Sequence, residues 1–380
     1  MIYLDHNATT PVAAEVLEAM EPFWRGHFAN PSSSSTLARP IKQAIALARG
    51  ECAALLDCDP EELIFTSGGT ESINTALRSV TTQQPGRKHL IIGSTEHEAV
   101  LSTAQWLERY HGYEVSRLPV DSEGQCSLSS LEACIRPGET AAICLMWANN
   151  ETGVLHPVPE AAALAAAYGI PFITDAVQAA GKIPLSLRQS GASYAAFSGH
   201  KLNAPKGIGL LYVQRDSAFQ PWIHGGAQEN RRRAGTENVA GIVGIGAAAR
   251  LAAASMPANA GVAARRDQFE QQVLQRIPGC HRNGHPTLRM PNTASLRFDA
   301  CQAEGLLLLL DQRGVCASAG SACSTGSLHA SHVLTAMGLD AAAARSTLRF
   351  SLGKATTATE LEQAVVALEA SVGKFRSLVS

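Results

Sequence analysis

The sequence has 380 residues and 46% hydrophobic content, which suits two domains or one large α/β domain with an appendage. Charged residues make up only 17%, below the roughly 25% of an average domain, which indicates extensive burial within the fold or against another subunit. The formal net charge of -2 provides no long-range positive field, which argues against nucleic acid or an anionic membrane as the main partner.

The sequence carries no targeting or disulfide pattern. No apolar run approaches the roughly 20 residues that a membrane-spanning helix needs, and the start MIYLDHNATTP lacks the features of a signal peptide, so we expect a cytoplasmic protein. The nine cysteines contain no C-x-x-C pair. We therefore expect reduced thiols and no metal site, and most of these cysteines are expected to be small buried hydrophobic residues.

Short apolar runs alternate with helical patterns over residues 60 to 215, which predicts an α/β fold with a mostly parallel sheet wrapped by helices. The predicted strands are residues 63–66, 89–93, 141–147, 171–174, 194–197 and 209–213. The first five runs are followed by the polar or glycine-rich clusters SGGTE, STEHE, ANNETG, DAVQ and SGHK. Ligands of such sheets bind at the carboxyl ends of the strands, so we expect these clusters to form one site.

The alanine-rich stretch 239–256 predicts a long helix that leads into a second, smaller α+β unit over residues 260 to 380, with short strands at 293–298 and 348–351. A G-x-G-x-x-A match at 244–249 lies inside this helical stretch and follows no strand. We therefore discount it as a dinucleotide-binding turn.

The segment 63–80 has the pattern of a strand, a glycine turn and a helix. Such a turn presents free N–H groups of Gly69 and its neighbours to an anion, and the hydroxyl of Thr70 adds a donor. The lysine of a nucleoside-triphosphate loop is missing, so a phosphate on a smaller cofactor is predicted. An ordinary turn from strand to helix remains the alternative.

Two charged residues lie at predicted strand ends. Lys201 in SGHK is placed to act as an amine nucleophile toward an aldehyde, with a surface salt bridge as the alternative. Asp175 ends a buried strand and therefore needs a cation, either a protonated pyridine nitrogen or an arginine. His97 and His200 follow strands of the same sheet and are candidates for ring stacking, proton transfer or phosphate binding.

The glycine- and serine-rich stretch CASAGSACSTGS is typical of an accessible loop, in which Cys323 is the candidate nucleophile and Cys316 is expected to pack inside. Arg349 lies on a strand-like segment where its guanidinium can hold a substrate carboxylate by two contacts. A structural salt bridge is the alternative for Arg349.

The polar and glycine-rich strings named above occur in one order along the chain, together with NPSS, RRRAGTEN and RFSLG. With these strings in this order, the chain resembles the cysteine desulfurases of the class V aminotransferase group, in the long-loop branch related to iron–sulfur cluster enzymes. The resemblance covers nearly the whole chain and implies the cofactor pyridoxal 5'-phosphate. It implies cofactor contacts from Gly69, Thr70, His97, Asn150, Asp175, Gln178, Ser198, His200, Lys201 and, from a neighbouring subunit, Thr236. It assigns the substrate carboxylate to Arg349, further substrate contact to Asn150, and catalysis to Lys201, His97 and Cys323.

The resemblance also implies a fold type I enzyme with a seven-stranded sheet in a large domain of residues 14–255, and a small domain of residues 1–13 and 256–380. The implied reaction converts L-cysteine to L-alanine and leaves sulfur on Cys323 for an iron–sulfur scaffold or another acceptor protein. A homodimer is implied because one subunit completes the other's site. A selenocysteine lyase, an aminotransferase and a non-catalytic scaffold are the alternative functions.

Overall fold

A computed structural model of the chain describes residues 1–320 and 330–379. The strands, in chain order, are β1 (Ile2–Tyr3), β2 (Leu63–Thr66), β3 (His89–Gly93), β4 (Glu114–Leu118), β5 (Thr140–Cys144), β6 (Phe172–Asp175), β7 (Tyr194–Ser198), β8 (Gly209–Val213), β9 (Cys280–Arg282), β10 (Thr293–Phe298), β11 (Val315–Cys316) and β12 (Thr347–Ser351).

The helices, in chain order, are α1 (Ala14–Arg25), α2 (Arg39–Leu56), α3 (Gly69–Gln83), α4 (Glu98–His111), α5 (Leu128–Cys134), α6 (Val158–Ala167), α7 (Leu187–Ser190), α8 (Val239–Ala254), α9 (Asn259–Arg276), α10 (Ala303–Asp311), α11 (His332–Ala336), α12 (Ala341–Arg345) and α13 (Ala358–Val379).

Seven strands form the central sheet in the order β2-β8-β7-β6-β5-β3-β4. The pairings from β7 through β4 are parallel, whereas β8 pairs antiparallel with both of its neighbours. Because β8 is antiparallel to β2 as well as to β7, β2 points in the same direction as the parallel strands. The predicted α/β fold with a mostly parallel seven-stranded sheet is therefore confirmed.

Successive residues of each central strand pack into two different cores. In β2, Ile64 packs with α3 and α4, whereas Leu63 and Phe65 pack into the core on the opposite face. The same alternation holds in β3, where Ile91 faces away from the core that contains Leu90. Because side chains of a strand alternate between faces, a sheet covered by helices on both sides requires the nearly continuous apolar runs found in the sequence.

The strand Glu114–Leu118 was not among the predicted ones. It lies at the edge of the sheet, pairs only with β3, and has exposed or half-buried residues at four of its five positions. An edge strand needs few apolar side chains, and so its polar sequence does not stand out. The direction of β8 was also not predicted, since an apolar run carries no information about parallel or antiparallel pairing.

The G-x-G-x-x-A match lies inside α8 as expected, and its glycines serve helix packing. A Cβ atom at Gly246 would lie 2.5 Å from Cα of Ala48 on α2, and one at Gly244 would lie 2.8 Å from Sδ of Met20 on α1. Real Cβ atoms essentially never lie within 3.0 Å of another heavy atom, and at Gly246 the atom in the way belongs to the backbone of α2. The two glycines therefore let α8 approach α1 and α2 closely.

A second hydrophobic core combines Leu4 with apolar residues of α9, α10, α13, β10 and β12. Beside it, β10 pairs antiparallel with both β9 and β12, and β1 pairs in parallel with β11. The N-terminal strand thus packs with residues from the end of the chain. The domain division at residues 13/14 and 255/256 stays a prediction.

Among the described residues, no single helix is both long and apolar enough to cross a membrane. Helix α8 and the following segment Met256–Arg276 reach the required length and composition only as a pair, across a bend of 61°.

Candidate functional site

The predicted site residues are gathered at the carboxyl ends of the strands that run in the same direction. Asp175 is the last residue of β6 and Ser198 is the last residue of β7. Lys201 follows Ser198 within one turn of 3-10 helix, and His97 is the N-cap of α4, shortly after β3. The expected convergence on one edge of the sheet is therefore present.

The turn between β2 and α3 packs directly against the turns after β6 and β7. A Cβ atom at Gly69 would lie 2.8 Å from Cγ2 of Val177 and 3.7 Å from Cβ of Ser198, and one at Gly209 would lie 2.5 Å from Cα of Gly68. Helix α3 begins here without a side-chain cap. Its first N–H groups are thus available to an anion, with Thr70 in the same first turn.

Asp175 is a buried carboxyl group, 7% exposed, whose Oδ1 accepts a 3.0 Å hydrogen bond from the amide of Val177. Burial raises the pKa of this carboxyl, while His97 and Lys201 oppose the rise because both favour its anionic form. None of the arginine ion pairs among the described residues involves Asp175. The described part of the chain therefore offers no support for the arginine alternative.

The amino group of Lys201 lies beside the N-terminal segment rather than on the surface. Its Nζ donates 2.6 Å hydrogen bonds to the backbone carbonyls of Asn7 and Ala8. The carbonyl of Asn7 also accepts from Nε2 of Gln178 at 3.0 Å. Asn7 therefore brings two predicted cofactor residues together. Both of these acceptors of Lys201 are neutral backbone carbonyls, not carboxylates.

Asn7 was not selected from the sequence, although it belongs to the string HNATT. It is 3% exposed, and every polar atom of its side chain is paired: Nδ2 donates to the carbonyl of Asn150 and to Thr293, while Oδ1 accepts from Asn292. Lys182 also approaches this Oδ1 at 3.5 Å. No local pattern marks such a residue, because its partners are far away in sequence.

The two histidines have different surroundings. Nδ1 of His97 accepts a hydrogen bond from the amide of Ala99, so the neutral ring carries its proton on Nε2. Burial and the nearby Lys201 lower the pKa of His200 to about 4, and its Nδ1 lies 3.2 Å from Oγ1 of Thr9. His200 is therefore neutral near pH 7 and can act only as a hydrogen-bond partner of a phosphate. His97 and Thr70 line one cavity of about 480 Å³.

Arg349 is 1% exposed on β12, and its guanidinium holds three chain segments together. It donates to the carbonyls of Asn150 and Gly320, and Nη2 forms a 2.7 Å ion pair with Asp5. The structural salt bridge considered for Arg349 is thus present. Nε is nevertheless buried without an acceptor among the described residues, which leaves one donor for a substrate carboxylate.

The candidate nucleophile Cys323 lies outside the described residues. The other eight cysteines are free thiols, and burial raises the pKa of seven of them: Cys52, Cys58, Cys126, Cys144, Cys280, Cys301 and Cys316. A raised pKa keeps a thiol protonated and therefore unreactive. Cys316 lies in β11 and is only half-buried, so the expectation that it packs inside is wrong; its neighbour Val315 is the residue of β11 that enters the core.

Residues 2–364 match the family model described as aminotransferase class-V. The chain belongs to the class-V aminotransferase family. Enzymes of this family depend in general on pyridoxal 5'-phosphate. The family assignment agrees with the resemblance found in the sequence.

Individual relatives of this class-V aminotransferase cover it from end to end. It is 45% identical to cysteine desulfurase 2 of Trichormus variabilis, an alignment that spans 100% of this chain and 94% of the relative. It is 44% identical to the cysteine desulfurase NifS of Azotobacter vinelandii, over 99% of this chain and 94% of the relative. Among solved structures, a NifS-like protein superposes with a TM-score of 0.92 at 34% identity, covering 98% of this chain and 99% of that chain. The protein SspA, solved in complex with cysteine, superposes with a TM-score of 0.83 at 35% identity, covering 94% of this chain and 100% of that chain.

Thr236 of this class-V aminotransferase does not line the cavity that Thr70 and His97 share. It lines a separate cavity of about 70 Å³ with Ser67 and Arg233, where Arg233 forms a 3.0 Å ion pair with Glu71 of α3. The segment that carries Thr236 is thereby fixed next to the glycine turn of its own chain.

Glu151 is a second buried polar residue that the sequence did not reveal, although it belongs to the string NNETG. It is 3% exposed and accepts a 2.6 Å hydrogen bond from Oγ of Ser331. Burial raises the pKa of its carboxyl, while His332 and Arg349 oppose the rise. A Cβ atom at Gly320 would lie 2.9 Å from Oε2 of Glu151. Glu151 thus contacts the residues on both sides of the stretch 321–329.

Proposed function

We propose that the chain is a cysteine desulfurase that carries pyridoxal 5'-phosphate on Lys201, converts L-cysteine to L-alanine and takes up the sulfur on Cys323. The observation that carries the proposal is the placement of a buried carboxyl, Asp175, and the amine of Lys201 at adjacent strand ends, where the charge of Lys201 favours the anionic form of Asp175. The full-length relatives named cysteine desulfurase support the reaction.

The residues present fit the proposed cofactor. Asp175 is a buried acid in need of a cation, which a protonated pyridine nitrogen supplies. The uncapped start of α3 at Gly69 and Thr70, beside Ser198 and the neutral His200, suits the phosphate group. Gln178 has an amide N–H for the ring hydroxyl, and Asn150 lies after β5 at the same edge.

When bound, the cofactor supplies an electron sink for a carbanion at Cα of an amino acid. Around it, Arg349 holds the substrate carboxylate with its available Nε–H. Lys201 Nζ takes the Cα proton as a general base, and His97, whose Nε2 carries a proton, returns protons to the substrate.

Cys323 takes the sulfur as a thiolate. The Cβ–S bond of L-cysteine breaks and an S–S bond forms, so the products are L-alanine and a persulfide on Cys323, with no external oxidant or reductant required. The raised pKa values of the buried cysteines support assigning this role to Cys323. The acceptor of the persulfide sulfur is proposed to be an iron–sulfur scaffold or another sulfur-acceptor protein.

A homodimer is the proposed assembly. Large apolar side chains of α1, α2 and the loop between them are exposed, namely Leu17, Trp24, Phe28, Leu37 and Leu47. A second copy that covers them would remove this apolar surface from water. Thr236 of each protomer would then serve the neighbouring subunit's phosphate site. Light scattering is expected to give twice the chain mass of 40.0 kDa.

Absorbance spectroscopy with a product assay tests the proposed function. The purified chain with pyridoxal 5'-phosphate should show a visible absorbance band and should release alanine and sulfide from L-cysteine in the presence of a thiol. A half-reaction that yields a keto acid would indicate an aminotransferase. Turnover of selenocysteine without turnover of cysteine would indicate a selenocysteine lyase. A chain that takes up no cofactor would indicate a non-catalytic scaffold.

Changing Arg349 to lysine is expected to raise KM for L-cysteine about 10- to 100-fold, because one charge-assisted hydrogen bond to the carboxylate is lost. The visible band should persist, since Arg349 is assigned to the substrate. Steady-state kinetics measure the change, and Arg345→Lys, an exposed position on α12, is the matched control. An unchanged KM would contradict the assignment of Arg349 to the carboxylate and leave it a structural role through Asp5, Asn150 and Gly320.

A further inference from the structure

A second lysine, Lys182, lies close to the proposed cofactor site without a role so far. It follows β6 by seven residues, and its Nζ donates a 2.7 Å hydrogen bond to Oε1 of Gln178. The carbonyls of Gly181 and Lys182 accept hydrogen bonds from Nδ2 of the buried Asn259, at 3.1 and 2.9 Å. Both the backbone and the amino group of Lys182 are therefore held in place.

The charge of Lys182 has no carboxylate partner in the part of the chain that the structure describes. Its acceptors are the neutral amide oxygens of Gln178 and Asn7. Basic groups surround it. Lys201 and Arg349 shift the pKa of Lys182, and Lys182 in turn shifts the pKa of His6 and of His200. Burial and the charges of Lys201 and Arg349 lower the pKa of Lys182 to about 7. A half-buried amine with no carboxylate partner among the described residues costs stability, which calls for a functional explanation.

Lys182 determines how the Gln178 carboxamide is oriented. An ammonium group can only donate and the Asn7 carbonyl can only accept, so Oε1 must face Lys182 while Nε2 faces Asn7 and Lys201. One of the two Nε2 hydrogens is used by Asn7, and the other remains for an acceptor on the cofactor. Without Lys182, the carboxamide would lose the contact that fixes its oxygen.

We propose that Lys182 is a positioning residue, which orients the Gln178 amide toward the cofactor and places a second positive charge beside Lys201. The inference rests on the proposed function, because it requires pyridoxal 5'-phosphate on Lys201. Two like charges disfavour each other's protonated form. At pH values where Lys182 is protonated, its charge therefore makes the nitrogen of Lys201 easier to deprotonate.

The test is a pH titration of the visible absorbance of the cofactor-loaded protein. The Lys182→Met variant should show a midpoint at higher pH than the unmodified protein, by about half a unit or more, because a neighbouring positive charge is removed. It should also bind pyridoxal 5'-phosphate about tenfold more weakly in equilibrium dialysis, since the Gln178 amide is no longer fixed. Lys182→Arg keeps the charge and the donors, and it should restore the midpoint.

Two further variants separate this role from a structural one. Lys354→Met changes another lysine of the same cavity of about 300 Å³, which bonds to Ser255 instead, and should leave the midpoint unchanged. Lys182→Gln removes the charge but keeps an amide donor. It should therefore shift the midpoint while weakening the binding of pyridoxal 5'-phosphate less than Lys182→Met does. It also replaces Lys182→Met if that variant does not fold.

An unchanged midpoint in both neutral Lys182 variants would overturn the inference, as would an equal shift in Lys354→Met. Failure of the proposed function is separate: an unmodified protein with a visible band but no alanine release would overturn the desulfurase reaction and leave the Lys182 measurement intact. An unmodified protein that takes up no cofactor would overturn both.

Discussion

Changing Cys323 to serine is expected to abolish the release of alanine and sulfide from L-cysteine while the visible band of the bound cofactor stays. A serine hydroxyl remains protonated near neutral pH and cannot accept the sulfur, so the Cβ–S bond is not broken. The cofactor contacts proposed for Lys201, Asp175 and the start of α3 do not involve Cys323. This variant should therefore keep cofactor binding and lose sulfur uptake.

Product assays and mass spectrometry together measure the Cys323→Ser effect. After L-cysteine is added, the unmodified chain should gain the mass of one sulfur atom on Cys323, and the variant should gain none. Cys134→Ser is the matched control, because Cys134 is a half-buried free thiol on α5. Continued turnover in Cys323→Ser would contradict the proposed role and would point to another sulfur acceptor.

Changing Lys201 to alanine is expected to remove covalent cofactor attachment and to reduce turnover by a factor of about 10²–10⁴ or more, because the base for the Cα proton is lost as well. Borohydride reduction of the loaded protein followed by mass spectrometry should give a stable cofactor adduct in the unmodified chain and none in the variant. The variant should also be slightly less stable, since the carbonyls of Asn7 and Ala8 lose a donor.

Lys206→Ala provides the control for Lys201. Lys206 is exposed five residues further along the same segment, so its removal should leave both the adduct and turnover unchanged. An adduct that persists in Lys201→Ala would place the cofactor on a different amine. Lys182 would then be the first candidate, since its amino group bonds to Gln178 and its pKa is lowered to about 7.

The strands of the fold were predictable from the sequence where a short apolar run is buried on both faces of the sheet. The strands around Ile64, Ile91 and Phe172 are short and apolar because helices cover both sides of the sheet. Strand β4 escaped prediction because one of its edges is unpaired and its side chains are mostly exposed. The direction of β8 is a property of its pairing, which residue types do not encode.

The chemistry of the site was predictable at Lys201 and Asp175, because a lysine among small polar residues and a carboxyl at the end of a buried strand are unusual in themselves. What the sequence by itself determined is thus the set of reactive groups and the edge of the sheet on which they lie. The tertiary structure decided their partners: Asn7 bonds to Lys201 across 194 positions, and Arg349 to Asp5 across 344. It also decided that Asp175 has no arginine ion pair within the described part of the chain and that Lys182 is half-buried beside Gln178. Burial and electrostatics depend on which segments pack together, and segments so distant in sequence meet only in the folded chain.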